Sequence, residues 1–304
     1  MHICTSLDAF PPGSPSVVLA IGAFDGIHLG HRKVIRVAQD LAAKAGGTCW
    51  VLSFDPNPKC FLRPDQAPLL LALPEQRTQQ LEGLGIDGFL LLPFGDALAH
   101  LSPEAFIEML HASLPLAGIV VGKNFRFGHK AAGDIQLLRE LASARGLFVD
   151  TPEPVLYQDL PVSSTRIRQA IREAKISDAS AMLTRPYRIR GEVIPGKQIA
   201  RSMGYPTANV HLHNEILPPP GIYAVDAYIN HRRYAAAGYV NPWAEDHMVE
   251  VYLIDESEDL YGETIEVDFI AHIREDQQFD DMEELKRQIG RDVDMVRQRL
   301  AERP

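Results

Sequence analysis

The chain has 304 residues, a length that suits two domains better than one core, and 46% of them are hydrophobic while 23% are charged. Its formal net charge of -10 argues against a nucleic-acid partner, because such a partner is usually held by a basic surface. The longest apolar run, residues 89–94, is far too short to span a bilayer. The three cysteines lack metal-ligand spacing and are expected to be reduced thiols. We therefore expect a cytoplasmic protein that binds neither nucleic acid nor membrane. The sequence indicates no oligomeric state.

The first half of the chain alternates short apolar runs with helical stretches. The apolar runs predict strands at residues 17–21, 49–54, 88–93 and 117–122. The stretches between and after them predict helices at residues 31–45, 74–84, 103–113 and 134–146. Near-continuous apolar strands alternating with helices favour a doubly wound, Rossmann-like parallel sheet covered on both faces. Ligands of such sheets bind at the carboxyl ends of the strands.

The second half carries a different pattern, in which apolar and polar residues alternate. This period of two predicts antiparallel strands at residues 187–193, 221–228, 249–254 and 264–270. Several such strands in roughly a hundred residues favour a small β-barrel. Residues 281–303 carry an apolar stripe at helical spacing, which predicts a helix that closes the barrel. We place the domain boundary so that the domains are 1–184 and 185–304.

A glycine-rich loop with two histidines follows the first predicted strand and leads into a helix. Its residues of interest are Gly22, Phe24, Asp25, Gly26, His28, Gly30 and His31. Glycines permit close backbone approach, and a helix amino terminus favours phosphate. Two imidazoles there can stabilise the charge that develops when an α-phosphate is attacked. The alternatives are two surface histidines or a zinc site, and zinc lacks a third ligand at the usual spacing.

A second candidate phosphate site lies near the end of the first half. It combines hydroxyl groups at a helix start with two arginines: Ser163, Ser164, Thr165, Arg166 and Arg168. Such a group can cradle phosphates. Taken alone, the pattern also fits a capped amphipathic helix with solvated arginines.

Together the two motifs resemble the HxGH nucleotidyltransferase superfamily. Residues 53–58, Ser-Phe-Asp-Pro-Asn-Pro, resemble the F-x-P-x-P segment of prokaryotic FAD synthetases, and residues 121–128 resemble their G-x-[DN]-F-x-F-G segment. This resemblance implies adenylyl transfer from ATP to FMN, giving FAD and pyrophosphate. It implies catalytic roles for His28, His31, Ser164, Thr165 and Arg168. It implies ATP contacts at Gly22, Phe24, Asp25, Gly26, Gly30, Ser163 and Arg166. It implies flavin contacts at Phe54, Pro56, Pro58, Asn124, Phe125 and Phe127.

The barrel half carries a further resemblance. Residues 204–209, Gly-Tyr-Pro-Thr-Ala-Asn, resemble the G-[FY]-P-T-A-N signature of riboflavin kinases, and residues 249–255 resemble the strand that carries their acidic base. Nearly the whole chain thus resembles the bacterial bifunctional riboflavin kinase/FMN adenylyltransferase family. This implies phosphorylation of riboflavin by ATP, with Mg2+ as the cofactor of both steps. The implied residues are Glu250 as general base, Thr207 and Asn209 as metal ligands, and Gly196 and Arg201 at the ATP phosphates.

Three places depart from the family pattern: Thr184, Ala200 and the short segment 241–248. They leave open an FAD synthetase whose barrel does not phosphorylate riboflavin. A different HxGH enzyme with an unrelated appendage is disfavoured by the flavin-type segments. A pure binding module is least expected, because it would not need the two histidines. Incubation with riboflavin and magnesium-ATP distinguishes the bifunctional enzyme from an FAD synthetase with an inactive barrel, because only the bifunctional enzyme would form FMN.

Overall fold

The computed structural model describes residues 1–195, 203–212, 215–241, 248–256 and 260–302. The chain folds as two compact units. The first unit comprises Met1–Pro68 and Pro74–Ser163, and the second comprises Leu69–Leu73 and Ser164–Pro304. Within the described ranges, no helix combines the length and the apolar character that crossing a membrane requires.

A six-stranded parallel sheet forms the centre of the first unit, in the order β1-β4-β3-β2-β5-β6. Its strands are β1 His2–Cys4, β2 Val17–Ile21, β3 Thr48–Asp55, β4 Gly88–Pro93, β5 Leu116–Val120 and β6 Phe148–Asp150. Every residue of β2 is buried, as expected for a central strand covered on both faces. The predicted parallel sheet is confirmed.

Helices cover both faces of this sheet. They are α1 Leu29–Lys44, α2 Pro58–Leu62, α3 Pro74–Glu82, α4 Asp96–Ala99, α5 Pro103–Ser113 and α6 Ile135–Ser143. Smaller elements are 3-10 turns at Pro64–Gln66 and His129–Ala131, and a hairpin of β7 Leu156–Tyr157 and β8 Leu160–Pro161. One core cluster contains Phe106 of α5 and Leu138 of α6, and the other contains Ile35 of α1 and Leu81 of α3.

The strand order of the sheet brings three chain segments to one edge. The first strand of the predicted set, β2, pairs with β3 on one side and with β5 on the other, so the order reverses between β2 and β5. In open α/β sheets this reversal opens a crevice at the carboxyl ends of the strands. The glycine loop, residues 22–28, follows β2. The proline segment, residues 56–58, follows β3, and the Asn-Phe segment, residues 121–128, follows β5.

The second unit contains a closed six-stranded barrel, in the order β10-β13-β12-β11-β14-β9. Its strands are β9 Tyr187–Ile194, β10 Thr207–Leu212, β11 Gly221–Ile229, β12 Arg232–Val240, β13 Met248–Leu253 and β14 Thr264–Glu275. All neighbouring pairs are antiparallel, which confirms the predicted small barrel.

Three helices of the described chain belong to this unit: α7 Ser164–Arg172, α8 Ile176–Leu183 and α9 Met282–Ala301. The apolar stripe of α9 packs on the barrel, where Val293 and Val296 join a core cluster with Ala224 and Ile254. The predicted closing helix is confirmed. Since α8 packs against β9 and β14, the predicted boundary between residues 184 and 185 falls inside this compact unit.

Candidate active sites

The glycine loop after β2 has an unusual backbone. Phe24 and Ile27 adopt left-handed φ angles of 49° and 42°, in a region that non-glycine residues rarely occupy, and Gly26 has a φ of 85°. Both apolar side chains are buried, and the Gly22 amide donates to the Leu52 carbonyl at 3.1 Å. Surrounding contacts therefore hold the loop in a strained form, as is common at functional sites.

The two histidines of this loop stack at the start of α1, with ring centroids 3.6 Å apart. His28 is the N-cap of the helix, and its Nδ1 accepts a hydrogen bond from the His31 amide at 3.3 Å. A Cβ atom on Gly30 would lie 3.1 Å from Cε1 of His28, so the glycine leaves room for this ring. The predicted strand, loop and helix order is thus what the chain adopts.

Burial favours the neutral form of His31. The pKa of His31 lies well below its ordinary value, first because the ring is buried and second because a charge on His28 would repel a second proton. Since Nδ1 of His28 accepts a hydrogen bond, its proton resides on Nε2, which is a donor. His28 can therefore present its Nε2–H as a donor at the helix start.

Aromatic side chains connect the segments that follow β3 and β5. The ring of Phe54 lies 6.5 Å from that of Phe106, which lies 6.0 Å from Phe127, and Phe127 stacks on Phe125 at 5.6 Å. Phe54 and Phe125 are half-buried, whereas Phe127 is only 6% exposed and belongs to the core. Phe125 is therefore the more accessible ring of that stacked pair.

The other predicted flavin contacts lie around these rings. Pro56 is exposed, Pro58 is the first residue of α2, and Asn124 is exposed beside a cavity of about 270 Å³ that Phe125 also lines. Sequence reasoning missed three rings of the same cluster: Phe61, Phe94 and Phe106. Phe94 follows β4 directly, a position that the strand pattern could have indicated.

The remaining predicted nucleotide residues divide between the units. Asp25 is buried in the first unit, and Ser163 ends that unit. The longer segment of the second unit begins with Ser164, the first residue of α7, followed by exposed Thr165 and half-buried Arg166. Arg168 is 7% exposed, and its Nε donates to the Leu69 carbonyl at 2.6 Å, so it also anchors the neighbouring segment.

In the barrel, the predicted base and metal ligands lie together. The Thr207 hydroxyl donates to Oε2 of Glu250 at 3.3 Å, and Asn209 pairs with Glu250 across β10 and β13. The Asn241 amide donates to the other carboxylate oxygen of Glu250 at 3.4 Å. The strand register therefore gathers a hydroxyl, an amide and a carboxylate on neighbouring strands. Gly196, Ala200 and Arg201 lie outside the described residues, as do residues 242–247.

A cavity of about 340 Å³ opens next to this carboxylate. It is lined by Thr207 and Glu250 and by residues that sequence reasoning missed, including Tyr239, Arg274, Asp276 and Phe279. Tyr239 donates its hydroxyl to Asp276 at 2.9 Å, and burial and this contact raise the pKa of the phenol. Tyr239 is opposite Glu250 in the β12–β13 register, so only the folded barrel brings them together.

In the part of the chain that the structure describes, no group of three or more His, Cys, Asp or Glu residues is arranged to hold a metal ion. Such a group is the usual requirement for zinc. This statement does not cover the hydroxyl oxygens of Ser and Thr or the amide oxygens of Asn and Gln, which can also bind Mg2+.

Fold and sites together define a two-domain transferase, with a nucleotidyltransferase-type α/β unit and a kinase-type barrel. Known families agree: the FAD synthetase family matches residues 11–166, and the riboflavin kinase family matches residues 183–300. The chain is 35% identical over 285 residues to the bifunctional riboflavin kinase/FMN adenylyltransferase of Bacillus subtilis, covering 90% of each chain. It is 34% identical over 303 residues to the protein of the same name from Pseudomonas fluorescens, covering 98% of this chain and 97% of that one. The chain belongs to the bifunctional riboflavin kinase/FMN adenylyltransferase family and carries both of its enzyme domains.

A solved structure shares the fold over nearly the whole length. It is a crystal structure described as a macrolide-efflux protein from Streptococcus pneumoniae, 31% identical, with a TM-score of 0.87, covering 97% of this chain and 98% of that chain. The efflux description applies to the pneumococcal protein. Both family matches and the curated relatives agree instead on the two flavin activities.

Proposed function

We propose that residues 1–184 transfer the adenylyl group of ATP to FMN and that residues 185–304 phosphorylate riboflavin. The observation that carries the first assignment is the stacked His28–His31 pair at the start of α1, at the same sheet edge as the aromatic segments that follow β3 and β5. The observation that carries the second is the Glu250 carboxylate between Thr207 and Asn241, beside a cavity with apolar walls.

In the first reaction, an oxygen of the FMN phosphate attacks the α-phosphorus of ATP. The bond from that phosphorus to the bridging oxygen of the β-phosphate breaks, and pyrophosphate leaves. The Nε2 proton of His28 is suited to donate to the α-phosphate oxygens, whose negative charge grows in the transition state. This N–H donates without the ring first needing to take up a proton.

The nucleotide and flavin contacts follow the family pattern residue by residue. The glycine loop, with Asp25 and Phe24, would accommodate ATP. We assign the hydroxyl and guanidinium groups of residues 163–168 to the triphosphate, on the resemblance alone. Half-buried Phe54 and Phe125 are suited to pack against the isoalloxazine ring, because flat aromatic surfaces stack well in a partly desolvated cleft.

In the second reaction, Glu250 would take the proton from the terminal hydroxyl of the ribityl chain. The freed oxygen attacks the γ-phosphorus of ATP, the bond to the β–γ bridging oxygen breaks, and ADP leaves. The Thr207 and Asn241 contacts hold the carboxylate in one orientation, which a general base requires.

The donors around Glu250 fit the Mg2+ that the family implies. Thr207 and Asn209 supply a hydroxyl and an amide oxygen, hard ligands of the kind that Mg2+ prefers, on the strand that pairs with that of Glu250. When bound with ATP, the ion would neutralise charge on the phosphates. Thr207 and Asn209 would hold it, and Glu250 would remain available to the hydroxyl.

We infer small-molecule substrates only: ATP, FMN and riboflavin. A cytoplasmic location is consistent with the free thiols Cys4, Cys49 and Cys60, of which the first two are buried. Excess acidic over basic residues gives no reason to expect a nucleic-acid or membrane partner.

The experiment incubates the full chain with FMN and magnesium-ATP and follows FAD and pyrophosphate. We expect both products in equal amounts. A chain that forms neither would refute the adenylyl-transfer assignment. Riboflavin supplied instead of FMN tests the barrel: accumulation of phosphorylated flavin supports the kinase assignment, and its absence favours an FAD synthetase with an inactive barrel.

A further inference from the structure

Arg77 is a buried cation in α3 that contacts the glycine loop. The residue is only 7% exposed, although its helix carries polar side chains on most positions. Removing a guanidinium from water is unfavourable unless charged or polar groups compensate for it. The sequence pattern gave this arginine no role, so its burial calls for an explanation.

Its contacts converge on a single carbonyl oxygen, that of Ala23, two residues after β2. Nη1 of Arg77 donates to the Ala23 carbonyl at 3.3 Å and to the Ser53 hydroxyl at 3.4 Å. The Ser53 hydroxyl in turn donates to the same Ala23 carbonyl at 3.1 Å. The three groups thus form a closed triangle that ties the segment after β2 to β3.

Nearby carboxylates offset part of the cost of burying this charge. Burial lowers the pKa of Arg77, while the negative charges of Asp55 and Asp25 act in the opposite direction. Asp25 lies in the glycine loop, and Asp55 ends β3 immediately before the proline segment. The cation therefore interacts with both segments that the proposed reaction uses.

A short series of contacts leads from Arg77 to the histidines. The Ala23 carbonyl belongs to the peptide that precedes Phe24, whose left-handed backbone needs external support. The Phe24 ring meets His31 edge-on, with centroids 5.2 Å apart, and His31 stacks on His28. Fixing the Ala23 carbonyl therefore fixes the ring that supports the histidine pair.

We propose that Arg77 is a positioning residue for adenylyl transfer, which holds the Ala23 carbonyl and so keeps His28 and His31 in their working orientation. The inference rests on the proposed adenylyltransferase function. It assigns Arg77 no contact with substrate. Its effect should therefore be seen in the rate of the chemical step rather than in substrate binding.

The test compares Arg77→Met and Arg77→Lys in the full chain. Misplacement of catalytic groups by about 1 Å can cost on the order of a hundredfold in rate. We expect Arg77→Met to lower kcat for FAD formation by at least about tenfold, with KM for FMN and ATP changed less than about twofold. Arg77→Lys keeps the charge and one donor group, so it should recover part of kcat.

Two controls and a second variant make the result specific. Riboflavin phosphorylation by the same preparation should be unchanged, which reports the amount of folded enzyme. Arg36→Met, at an arginine of α1 whose side chain is 73% exposed, should leave both activities unchanged. Ser53→Ala removes the second donor to Ala23, so it should also lower kcat. In the double variant with Arg77→Met, the loss of kcat should be smaller than the product of the two single losses.

The inference is overturned by an unchanged kcat in Arg77→Met, by a rise in KM alone, or by a parallel loss of both activities with a lower unfolding temperature. If Arg77→Met fails to fold, Ser53→Ala and Arg77→Lys take its place. An unchanged kcat for FAD formation in both of these variants would then overturn the inference. Wild-type protein that forms no FAD would instead refute the proposed function. Active wild type with an equally active Arg77→Met would refute only the role of Arg77.

Discussion

Arg274 of β14 and Asp292 of α9 form a bidentate ion pair, with Nε–Oδ1 and Nη2–Oδ2 distances of 2.9 and 2.7 Å. Asp292 is 3% exposed and also accepts a hydrogen bond from Gln288 at 2.9 Å. Both members of the pair line the cavity beside Glu250. The pair therefore joins the closing helix to the barrel wall at the proposed riboflavin site.

Asp292→Ala should destabilise the barrel, because it leaves the half-buried Arg274 guanidinium without its carboxylate partner. Breaking a buried ion pair from one side typically costs about 3 to 5 kcal/mol. We expect a loss of this size in the free energy of unfolding, measured by urea titration. Asp255→Asn is the matched control, since its pair with Arg297 also joins α9 to the barrel but is exposed. An equal loss in both variants would contradict the account.

His28→Asn should abolish FAD formation while leaving riboflavin phosphorylation intact. Asparagine is a good N-cap and preserves the start of α1, so the change removes the imidazole without removing the cap. Loss of one transition-state donor typically costs about a hundredfold or more in kcat. The measurement is the initial rate of FAD formation from FMN. Loss of both activities in a protein with native circular dichroism would contradict the separation of the two sites.

The ligand-free protein should become less stable in acid because of His31. Its folded pKa lies well below the ordinary value of 6.5, so below that pH the unfolded chain binds a proton that the folded chain does not. The free energy of unfolding therefore falls as pH falls, and His31→Gln removes this contribution. Urea titrations at pH 8 and pH 5.5 should show the variant gaining on the order of 1 kcal/mol relative to wild type at the lower pH. A difference independent of pH would contradict the assigned direction.

Glu250→Gln should remove FMN formation and spare FAD formation from FMN. The amide keeps the size of the side chain but cannot take a proton, and loss of a general base typically costs about a hundredfold or more. Glu192→Gln is the matched control, because Glu192 is an exposed strand carboxylate of the same barrel. Substantial FMN formation by Glu250→Gln would show that another group acts as base.

Phe125→Leu should weaken FMN binding to the adenylyltransferase site. Aromatic stacking contributes about 0.5 to 1.5 kcal/mol beyond buried area, which corresponds to a rise of about two- to tenfold in KM for FMN. Phe10→Leu changes a ring that packs on Trp50 near the start of β3 and should leave that KM unchanged. A similar KM in all three proteins would remove Phe125 from the flavin site.

Strong local signals made much of the fold predictable. The strand Gly88–Pro93 and the helix Pro103–Ser113 have the predicted bounds. Ser102 caps that helix by accepting from the Ala105 amide at 3.2 Å, and Pro103 occupies its first turn. The edge strands β1 and β6 were missed because three residues carry too little periodicity, and β12 was missed because alanines dominate its centre.

The sites were predictable only where a motif is continuous in sequence. The His28–His31 loop is one such motif, and β10 carries Thr207 and Asn209 together. Asn241, Tyr239 and Asp292 reach the barrel cavity through strand register and helix packing, for which no local pattern exists. The role of Arg77 has no local signal for the same reason: its partner Ala23 is distant in the sequence.

A single time course follows both reactions in one sample. The full chain is incubated with riboflavin and magnesium-ATP, and riboflavin, FMN and FAD are separated by chromatography. We expect FMN to appear first and then to be converted to FAD, and we expect His28→Asn to stop at FMN. Riboflavin that stays unchanged, together with FMN that yields neither FAD nor pyrophosphate when supplied directly, would contradict this expectation.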